Sequence, residues 1–236
     1  GNWGGANNTV DFTTNGFSLK RNKSETNLNG INYVAWCFKA GGAAVANTDG
    51  TVASQVSANV AGGFSIVKYT GSALIGNTVG HGLSSPPEMI IQKASSTTRN
   101  WNVFNYLITG NLHLNLADAA NTSEYWAVNG NTFAIQDQSA SEDRIAYCFH
   151  SVAGVSKVGS YTGNGSSTGT IITLDFAPSF VMIKGTDQTS DWIIIDNKRD
   201  TTNPNSARLD ANSASAEYNG ENIMDLNSNG FQLKTA

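Results

Sequence analysis

The stretch Gly63-Phe-Ser-Ile-Val-Lys-Tyr-Thr-Gly71, followed by Pro87-Glu-Met-Ile-Ile-Gln-Lys93, decides the fold because the chain contains it twice. The second copy reads Val155-Ser-Lys-Val-Gly-Ser-Tyr-Thr-Gly163 and then Pro178-Ser-Phe-Val-Met-Ile-Lys184. The two tyrosines lie 92 residues apart, and the two prolines that open the second phrase lie 91 apart. A near-constant offset between matching landmarks predicts an internal duplication of one β-rich unit.

Turns and apolar runs indicate the fold class. Asn15-Gly16, Asn129-Gly130 and Asn229-Gly230 each stand between alternating apolar residues, and this pattern predicts β-hairpins. Met89-Ile-Ile and Ile193-Ile-Ile are apolar on both faces, which is typical of central strands covered on both sides. Short strands separated by Gly- and Asn-rich turns are typical of sandwiches. We therefore predict an all-β fold of tandem β-sandwich units, jelly-roll or concanavalin-like, that arose by internal duplication.

The repeat boundaries predict three segments. Residues 1–61 would be the tail of a preceding unit plus an insertion or linker, residues 62–149 the first sandwich repeat, and residues 150–236 the second repeat without its final strand. Tyr33-Val-Ala-Trp-Cys-Phe38 matches the strand with which the first repeat ends. Because open strand edges recruit strands, we expect this N-terminal segment to pack into the sheets, within the chain or across to a neighbouring copy.

Composition excludes several classes of partner. The chain is 14% charged with a net charge of −4, which does not suit binding to nucleic-acid phosphates. No apolar run approaches the ~20 residues that span a bilayer, so no membrane insertion is expected. The N-terminus has no signal-peptide pattern, and we expect a piece of something longer. Cys37 and Cys148 hold equivalent places in separate units, which predicts two buried free thiols rather than a disulfide.

The sequence does not predict an enzyme, a cofactor or a metal centre. Its acidic residues are scattered beside turns, and neither a Glu-x-Asp-x-x-Glu strand nor a Gly-x-Ser-x-Gly elbow occurs. His81 lies between two glycines, and we interpret it as a histidine in a turn; a role in binding a ligand or a metal is the alternative. Asn47–Gly50 and Asp187–Asp191 resemble weak calcium loops, but neither has the full run of acidic ligands.

The loops that precede two matching tryptophans, Ser95–Asn100 and Thr186–Asp191, are where a rigid sandwich would present recognition groups. Trp101 and Trp192 start matching strands, which favours a core role over stacking on sugar rings. Trp126 has a better chance of exposure, since it is replaced by Asn219 in the second unit. The candidate ligand-binding residues are therefore Arg99, Asn100, Trp126, Asp187 and Asp191.

Several phrases together resemble a known family: Asn47-Thr-Asp-Gly-Thr51, Gly63-Phe-Ser-Ile-Val-Lys-Tyr-Thr-Gly71, Gly80-His-Gly-Leu83, Ile145-Ala-Tyr-Cys-Phe149 and Ser228-Asn-Gly-Phe-Gln-Leu-Lys234. They resemble a repeated, lectin-like β-sandwich domain of uncharacterised function in tail-fibre and other structural proteins of tailed bacteriophages, particularly marine and cyanobacterial ones. The resemblance covers nearly all of the chain and implies no catalytic residues.

The resemblance implies a non-enzymatic structural protein at the virion surface, in a tail fibre or host-attachment appendage. Its partners would be other virion proteins or copies of itself, with a homotrimer as one arrangement, and cell-surface carbohydrate. Two alternatives stay open on the sequence, a secreted carbohydrate-binding module or lectin and an extracellular filament subunit.

Overall fold

The computed structural model describes residues 10–20, 23–72, 74, 76–124, 126–135 and 141–234. Within these ranges the chain forms eighteen β-strands and one short 3₁₀ turn, Val60–Gly62, and no α-helix. The prediction of an all-β fold is confirmed. The chain divides into two compact units, Gly1–Phe38 and Lys39–Ala236. No helix in the described part of the chain has the length and apolar character needed to cross a membrane.

The strands are short, and their hairpins fall where the Asn-Gly phrases predict them. Each of the three phrases joins two adjacent antiparallel strands: Val10–Thr13 with Gly16–Leu19, Trp126–Val128 with Thr132–Ile135, and Met224–Asn227 with Gly230–Leu233. The strands are β1 (Val10–Thr13), β2 (Gly16–Leu19), β3 (Val45–Asn47), β4 (Ser54–Asn59), β5 (Phe64–Thr70), β6 (Val79–Gly80), β7 (Met89–Ala94), β8 (Asn102–Asn105), β9 (Leu112–His113), β10 (Trp126–Val128), β11 (Thr132–Ile135), β12 (Asp143–Phe149), β13 (Ile171–Thr173), β14 (Phe180–Ile183), β15 (Ile193–Asp196), β16 (Leu209–Asp210), β17 (Met224–Asn227) and β18 (Gly230–Leu233).

The N-terminal unit consists of the β1–β2 hairpin and an irregular segment after it. The segment 31–40 contains no strand, so the prediction of a strand at Tyr33–Phe38 is wrong for this unit. The Tyr33 hydroxyl instead donates to the carbonyl oxygen of Ser24 (2.7 Å) and accepts from the Leu28 N–H (3.1 Å). An extended segment becomes a strand only through pairing, and the only ladder in this described unit joins β1 to β2.

A seven-stranded antiparallel sheet forms the centre of the larger unit. Its strand order is β3-β4-β5-β12-β7-β8-β9. β12 lies between β5 and β7, and all seven of its residues pair with β5. The segment 39–61, predicted as an insertion or linker, contributes β3 and β4 to this sheet, so this part of the prediction is corrected. All six residues of Ser54–Asn59 pair with β5, and Val56 enters the buried core.

A smaller sheet closes the first sandwich. Its strand order is β10-β11-β6, and Phe133 of β11 is completely buried against Val67, Ile90 and Cys148 of the larger sheet. Two sheets that bury their apolar faces against one another are a sandwich. The packing follows from alternation, since every second residue of β12 points into this core.

The second half repeats part of this arrangement. The sheet β14-β15-β16 has the same order and direction as β7-β8-β9, and the sheet β17-β18-β13 matches β10-β11-β6. A second core lies between them, formed by Val181, Ile195, Ile223, Met224 and Phe231. As the apolar runs predict, β7 and β15 are interior strands of their sheets. The duplication itself, with the boundaries at 62–149 and 150–236, stays a prediction from the sequence.

The glycines of two repeated Gly-Phe phrases have a steric explanation. Gly63 has a φ of 64°, and a Cβ there would lie 2.5 Å from the carbonyl oxygen of His150. Gly230 has a φ of 146°, and a Cβ there would lie 2.0 Å from the carbonyl oxygen of Ile172. Only glycine tolerates both the backbone angle and such close approach.

Both cysteines are free, but only one is buried. Cys148 lies inside β12 and is fully buried, and this burial raises the pKa of its thiol to about 12. Cys37 lies in the irregular N-terminal segment and is exposed, so the prediction of a buried thiol is wrong there. The difference follows from strand pairing, which Cys148 has and Cys37 lacks.

Candidate functional site

The two loops predicted to present recognition groups both bind one connecting segment, residues 113–117. On one side, the Trp101 N–H donates to Asn115 Oδ1 (2.8 Å). On the other side, the Ser190 N–H donates to the carbonyl oxygen of Ala117 (2.8 Å). The loops Ser95–Asn100 and Thr186–Asp191 are therefore held on one continuous part of the chain, although they belong to different halves of the sequence.

Arg99 and Asn100 in the first loop both have partners within the chain. Arg99 Nε donates to Glu142 Oε1 at 2.9 Å, while about half of the Arg99 side chain stays exposed. Asn100 Oδ1 accepts from Asn115 Nδ2 at 3.0 Å. Both side chains are held at the surface, where a ligand can reach them.

In the second loop, Asp187 is exposed and Asp191 is held in place. Asp191 Oδ2 accepts from Arg208 at 3.2 Å, and its Oδ1 accepts from Asn212 Nδ2 at 2.8 Å. The loop closes around Lys184, whose ammonium donates to the carbonyl oxygens of Ala117 (3.2 Å) and Gly185 (2.6 Å). Partial burial lowers the pKa of Lys184, and nearby carboxylates offset part of this effect.

Trp126 belongs to the sandwich rather than to either loop. Its ring packs between Phe104 and Phe133, with centroid distances of 5.8 and 6.3 Å. Its indole Nε1 donates to Asn111 Oδ1 at 3.0 Å. The structure thus brings Arg99, Asn100, Asp187 and Asp191 to two anchored loops and places Trp126 elsewhere.

Trp192 joins the two halves of the larger unit. It is 4% exposed and packs with Val103 and Leu112 of the first half. Its indole Nε1 donates to the carbonyl oxygen of His113 at 2.9 Å. Of the two roles considered for this residue, the core role is the one observed.

His81 is completely buried and both of its ring nitrogens are bonded. Nδ1 accepts from the Leu83 N–H at 3.1 Å, so Nε2 carries the proton and donates to the carbonyl oxygen of Gly130 at 3.0 Å. Burial lowers the pKa of this imidazole and keeps it neutral. The geometry is that of a structural turn histidine, with no nitrogen left for a metal.

The loops considered for a cation have internal partners. Asn47 Nδ2 donates to Asp49 Oδ2 at 2.8 Å, and the Asp49 N–H donates to Asn47 Oδ1 at 3.1 Å, which closes this turn without an ion. Over the described ranges of the chain, no three His, Cys, Asp or Glu side chains come together in a way that could hold a metal.

A buried polar network, which the sequence does not indicate, runs behind Arg99. Arg144 donates to Glu142 Oε2 (2.7 Å) and to Gln92 Oε1 (2.9 Å), and Gln92 in turn donates to the Tyr69 hydroxyl. Burial alone would raise the pKa of Glu142, but hydrogen bonds and the two arginine charges hold it below its usual range. No sequence motif predicts this network, because its members lie in segments that are far apart in the sequence.

The second half carries a surface cavity of about 290 Å³ that the sequence also does not indicate. Asn205 is 1% exposed, and its Nδ2 donates to the carbonyl oxygens of Thr202 (2.7 Å) and Asp200 (3.4 Å). Burial and these two carbonyl acceptors fix the orientation of the amide. The cavity is lined by Ala177, Pro178, Asn197, Asp200, Thr201, Asn203, Asn205, Leu226, Asn227 and Ser228. Such a lining of amides and hydroxyls suits a ligand rich in hydroxyl groups.

One family accounts for nearly the whole chain, since its match runs over residues 3–236. The chain belongs to the family described as a domain of unknown function, DUF7483. No curated protein and no solved structure matches this DUF7483 chain. The match treats both halves and the N-terminal segment as one domain. The assignment of ligand binding to Arg99, Asn100, Trp126, Asp187 and Asp191 stays a prediction for this DUF7483 domain.

Proposed function

We propose that this chain is a non-enzymatic structural domain of a bacteriophage virion, part of a tail fibre or host-attachment appendage at the virion surface. The proposal is carried by the repeated phrases that resemble domains of phage structural proteins. In this chain those phrases form the strands β5, β12 and β18 and the turn around His81. Short antiparallel strands and anchored loops suit a rigid protein that presents surfaces to other proteins.

The junction at Trp192 supports a mechanical role. A fibre is stiff along its length only if successive units are fixed relative to one another. In this chain a buried tryptophan, a hydrogen bond to His113 and the ammonium of Lys184 fix the second half on the first. A flexible linker between two binding modules would need none of these contacts.

Deletion of residues 62–236 from the gene of the phage that encodes this chain tests the proposal. We expect particles that adsorb poorly or assemble without the appendage, and wild-type chain supplied in trans restores adsorption. Normal particles that adsorb at the normal rate would contradict the proposal.

Carbohydrate binding is a second candidate function, and the cavity beside Asn205 favours it. Its amide and hydroxyl lining matches the donors and acceptors of sugar hydroxyls. A glycan array with the purified chain tests this candidate, with Asn227→Ala in the cavity compared with Asp187→Ala in the exposed loop. Binding lost only in Asn227→Ala assigns it to the cavity, binding lost only in Asp187→Ala assigns it to the loops, and no binding removes this candidate.

A further inference from the structure

The surface cavity of the second half is walled by a connection that is longer than its counterpart in the first half. Residues 197–208 connect β15 to β16, whereas residues 106–111 connect the matching strands β8 and β9, so twelve residues stand where the first half has six. Both connections begin with a backbone hydrogen bond to the residue before β14 or β7, donated by Asn197 (3.1 Å) in the second half and by Tyr106 (3.0 Å) in the first. The longer connection supplies half of the residues that line the cavity.

Hydrogen bonds within this longer connection fix its shape. The Asp200 carboxylate accepts from the N–H and hydroxyl of Ser206 (2.8 and 3.2 Å) and from those of Thr202 (3.3 and 3.2 Å). These donors, the Ser206 N–H first among them, lower the pKa of Asp200. The Asn203 side chain donates to the carbonyl oxygen of Leu226 (2.8 Å) and accepts from its N–H (2.9 Å). The wall of the cavity is thus preorganised before any ligand binds.

Two amide oxygens at the cavity have no hydrogen-bond partner among the described residues. They are Asn205 Oδ1, on a side chain that is only 1% exposed, and Asn197 Oδ1, on a half-buried one. Each amide nitrogen is used within the chain, that of Asn205 by carbonyl oxygens of its own loop and that of Asn197 by the Ser179 hydroxyl (3.3 Å). The oxygens are therefore the atoms left for the cavity. Native proteins rarely keep buried acceptors without donors, so two at one cavity indicate donors that the chain itself does not supply.

The lining of the cavity favours an uncharged ligand. No lysine, arginine or histidine is among the described residues that line it, so an anion meets no opposite charge there. The Asp200 carboxylate has about four acceptor positions, and its four hydrogen bonds to Thr202 and Ser206 leave little for an ammonium group or a metal ion. Neutral hydroxyl groups, in contrast, donate to amide oxygens and accept from hydroxyls such as those of Thr201 and Ser228.

A sugar ring offers the second kind of surface that the cavity needs. Ala177, Pro178 and Leu226 contribute aliphatic groups to the lining, and the C–H groups of a sugar ring pack against such groups. The volume of about 290 Å³ lies at the lower end of the range for small-molecule sites. The cavity therefore suits a single sugar unit rather than a long stretch of polysaccharide.

We propose that this cavity binds one neutral sugar unit, with one hydroxyl group donating to Asn205 Oδ1 and a second donating to Asn197 Oδ1. The assignment rests on carbohydrate binding, the second candidate function, and places that binding in the second half of the larger unit rather than in the two loops. In the first half Tyr106 stands where Asn197 stands in the second, and the connection is shorter, so we expect one site per chain.

Titration of the purified full chain with small sugars is the first test. The probes are methyl glycosides of neutral hexoses, glucosamine, glucuronic acid, glycerol and calcium chloride, followed by saturation-transfer NMR and calorimetry. We expect a neutral glycoside to bind at one site per chain and more tightly than the charged sugars or glycerol. The proposal is overturned if no neutral glycoside binds, if glycerol or a charged sugar binds as tightly, or if calcium alone binds.

Variants of Asn197 test the contact with the hydroxyl group. Asn197→Ala removes one acceptor and should weaken binding of the glycoside about 2- to 10-fold, the effect of one neutral hydrogen bond. Asn197→Asp keeps an acceptor oxygen at this position and should retain binding. Asn219→Ala, which removes an exposed amide of the same half that does not line the cavity, is the control and should bind as the wild type does. Wild-type affinity in Asn197→Ala overturns the proposal.

Deoxy analogues of the bound glycoside test the pairing of each hydroxyl with its residue. Removal of the hydroxyl that meets Asn197 should weaken binding to the wild type and have no further effect on Asn197→Ala. A different hydroxyl should behave in this way with Asn205→Ala, whose folding is first checked by circular dichroism because its amide nitrogen also holds the loop. If every deoxy analogue loses as much affinity for Asn197→Ala as for the wild type, the pairing is overturned.

The glycan array separates this site from the function on which it rests. Array binding that persists in Asn197→Ala and in folded Asn205→Ala overturns the cavity site and leaves carbohydrate binding by the chain in place. An array without binding removes both. The virion location is decided separately, by adsorption of the deletion phage.

Discussion

The indole Nε1 of Trp192 donates a 2.9 Å hydrogen bond to the backbone carbonyl of His113, 79 residues earlier in the chain. The bond joins the two halves of the larger unit at a buried contact with Val103 and Leu112. Trp192→Ala should lower the free energy of unfolding by about 3–5 kcal/mol, as truncation of buried aromatic side chains does. Trp192→Phe keeps most of the packing. It should lower the free energy of unfolding by about 1 kcal/mol for the lost hydrogen bond, and by a further amount for the packing that the phenyl ring does not replace.

Urea denaturation followed by circular dichroism measures both losses. The matched control is Trp101→Ala, at the corresponding position of the first half, where the side chain is only half-buried. It should cost less than Trp192→Ala. A Trp192→Ala chain as stable as the wild type would show that the junction does not hold the halves together.

The buried network predicts unequal effects for its two arginines. Arg144→Met leaves the buried Glu142 with Arg99 as the remaining cation beside it and should cost about 3–5 kcal/mol, the range for breaking a buried ion pair. Arg99→Met removes a half-exposed partner while Arg144 remains, and should cost no more than about 1 kcal/mol. Thermal and urea unfolding of the two variants tests this order, and equal losses would contradict it.

The network also predicts a loss of stability in acid. The folded-state pKa of Glu142 lies below its usual 4.5, so the folded state favours the carboxylate. Its contribution to stability is present above the unfolded-state pKa and is lost as the pH falls through the folded-state pKa. Glu142→Gln should flatten this part of the stability–pH curve, and a curve of unchanged shape would argue against the assignment.

His81 predicts a second pH effect, with a different window. Burial lowers its pKa below 6.5, so the folded state binds the proton less well than the unfolded state. Stability from His81 is therefore complete above about pH 6.5 and falls as the pH drops toward the folded-state pKa. His81→Asn should keep the acceptor for the Leu83 N–H, lose the bond to Gly130 and abolish this pH dependence. The measurement is the free energy of unfolding of the wild type and of His81→Asn from neutral pH to pH 5. If this free energy changed with pH by the same amount in both proteins, the proposed role of His81 would be refuted.

The hydrogen bonds of the Lys184 ammonium should keep the second recognition loop, Thr186–Asp191, ordered. Lys184→Met removes the donor from the carbonyl oxygens of Ala117 and Gly185 and should cost about 1–3 kcal/mol, since these acceptors lose their partner. Limited proteolysis should then cut within Thr186–Asp191 faster than in the wild type. Lys198→Met, at an exposed lysine of the same half, is the control and should leave this cleavage rate unchanged.

Local patterns predicted much of this fold because hairpins and strands are encoded locally. The Asn229-Gly230 turn and the central position of Ile193–Asp196 follow from short-range signals. The same reasoning gave Tyr33–Phe38 as a strand, and it failed there because strand formation depends on a partner elsewhere in the chain. The role of Val45–Asn59 was missed for the same reason, since this segment has no second copy and only its pairing with β5 makes it part of the sheet.

The candidate site was predicted only in part. Loop position placed Arg99 and Asp191 at the surface, but it could not show that both loops bind one segment, 113–117. The Arg144–Glu142 pair and the cavity beside Asn205 depend on residues brought together by the sheets, and side chains of common types carry no pattern that marks them.

Immunogold electron microscopy of purified particles, with antibody raised against residues 39–236, tests the proposed function most directly. The account predicts gold at the tail or its fibres, and loss of this label from particles of the 62–236 deletion phage. Particles without label, together with label on the host cell or in the secreted fraction, would contradict a role in the virion.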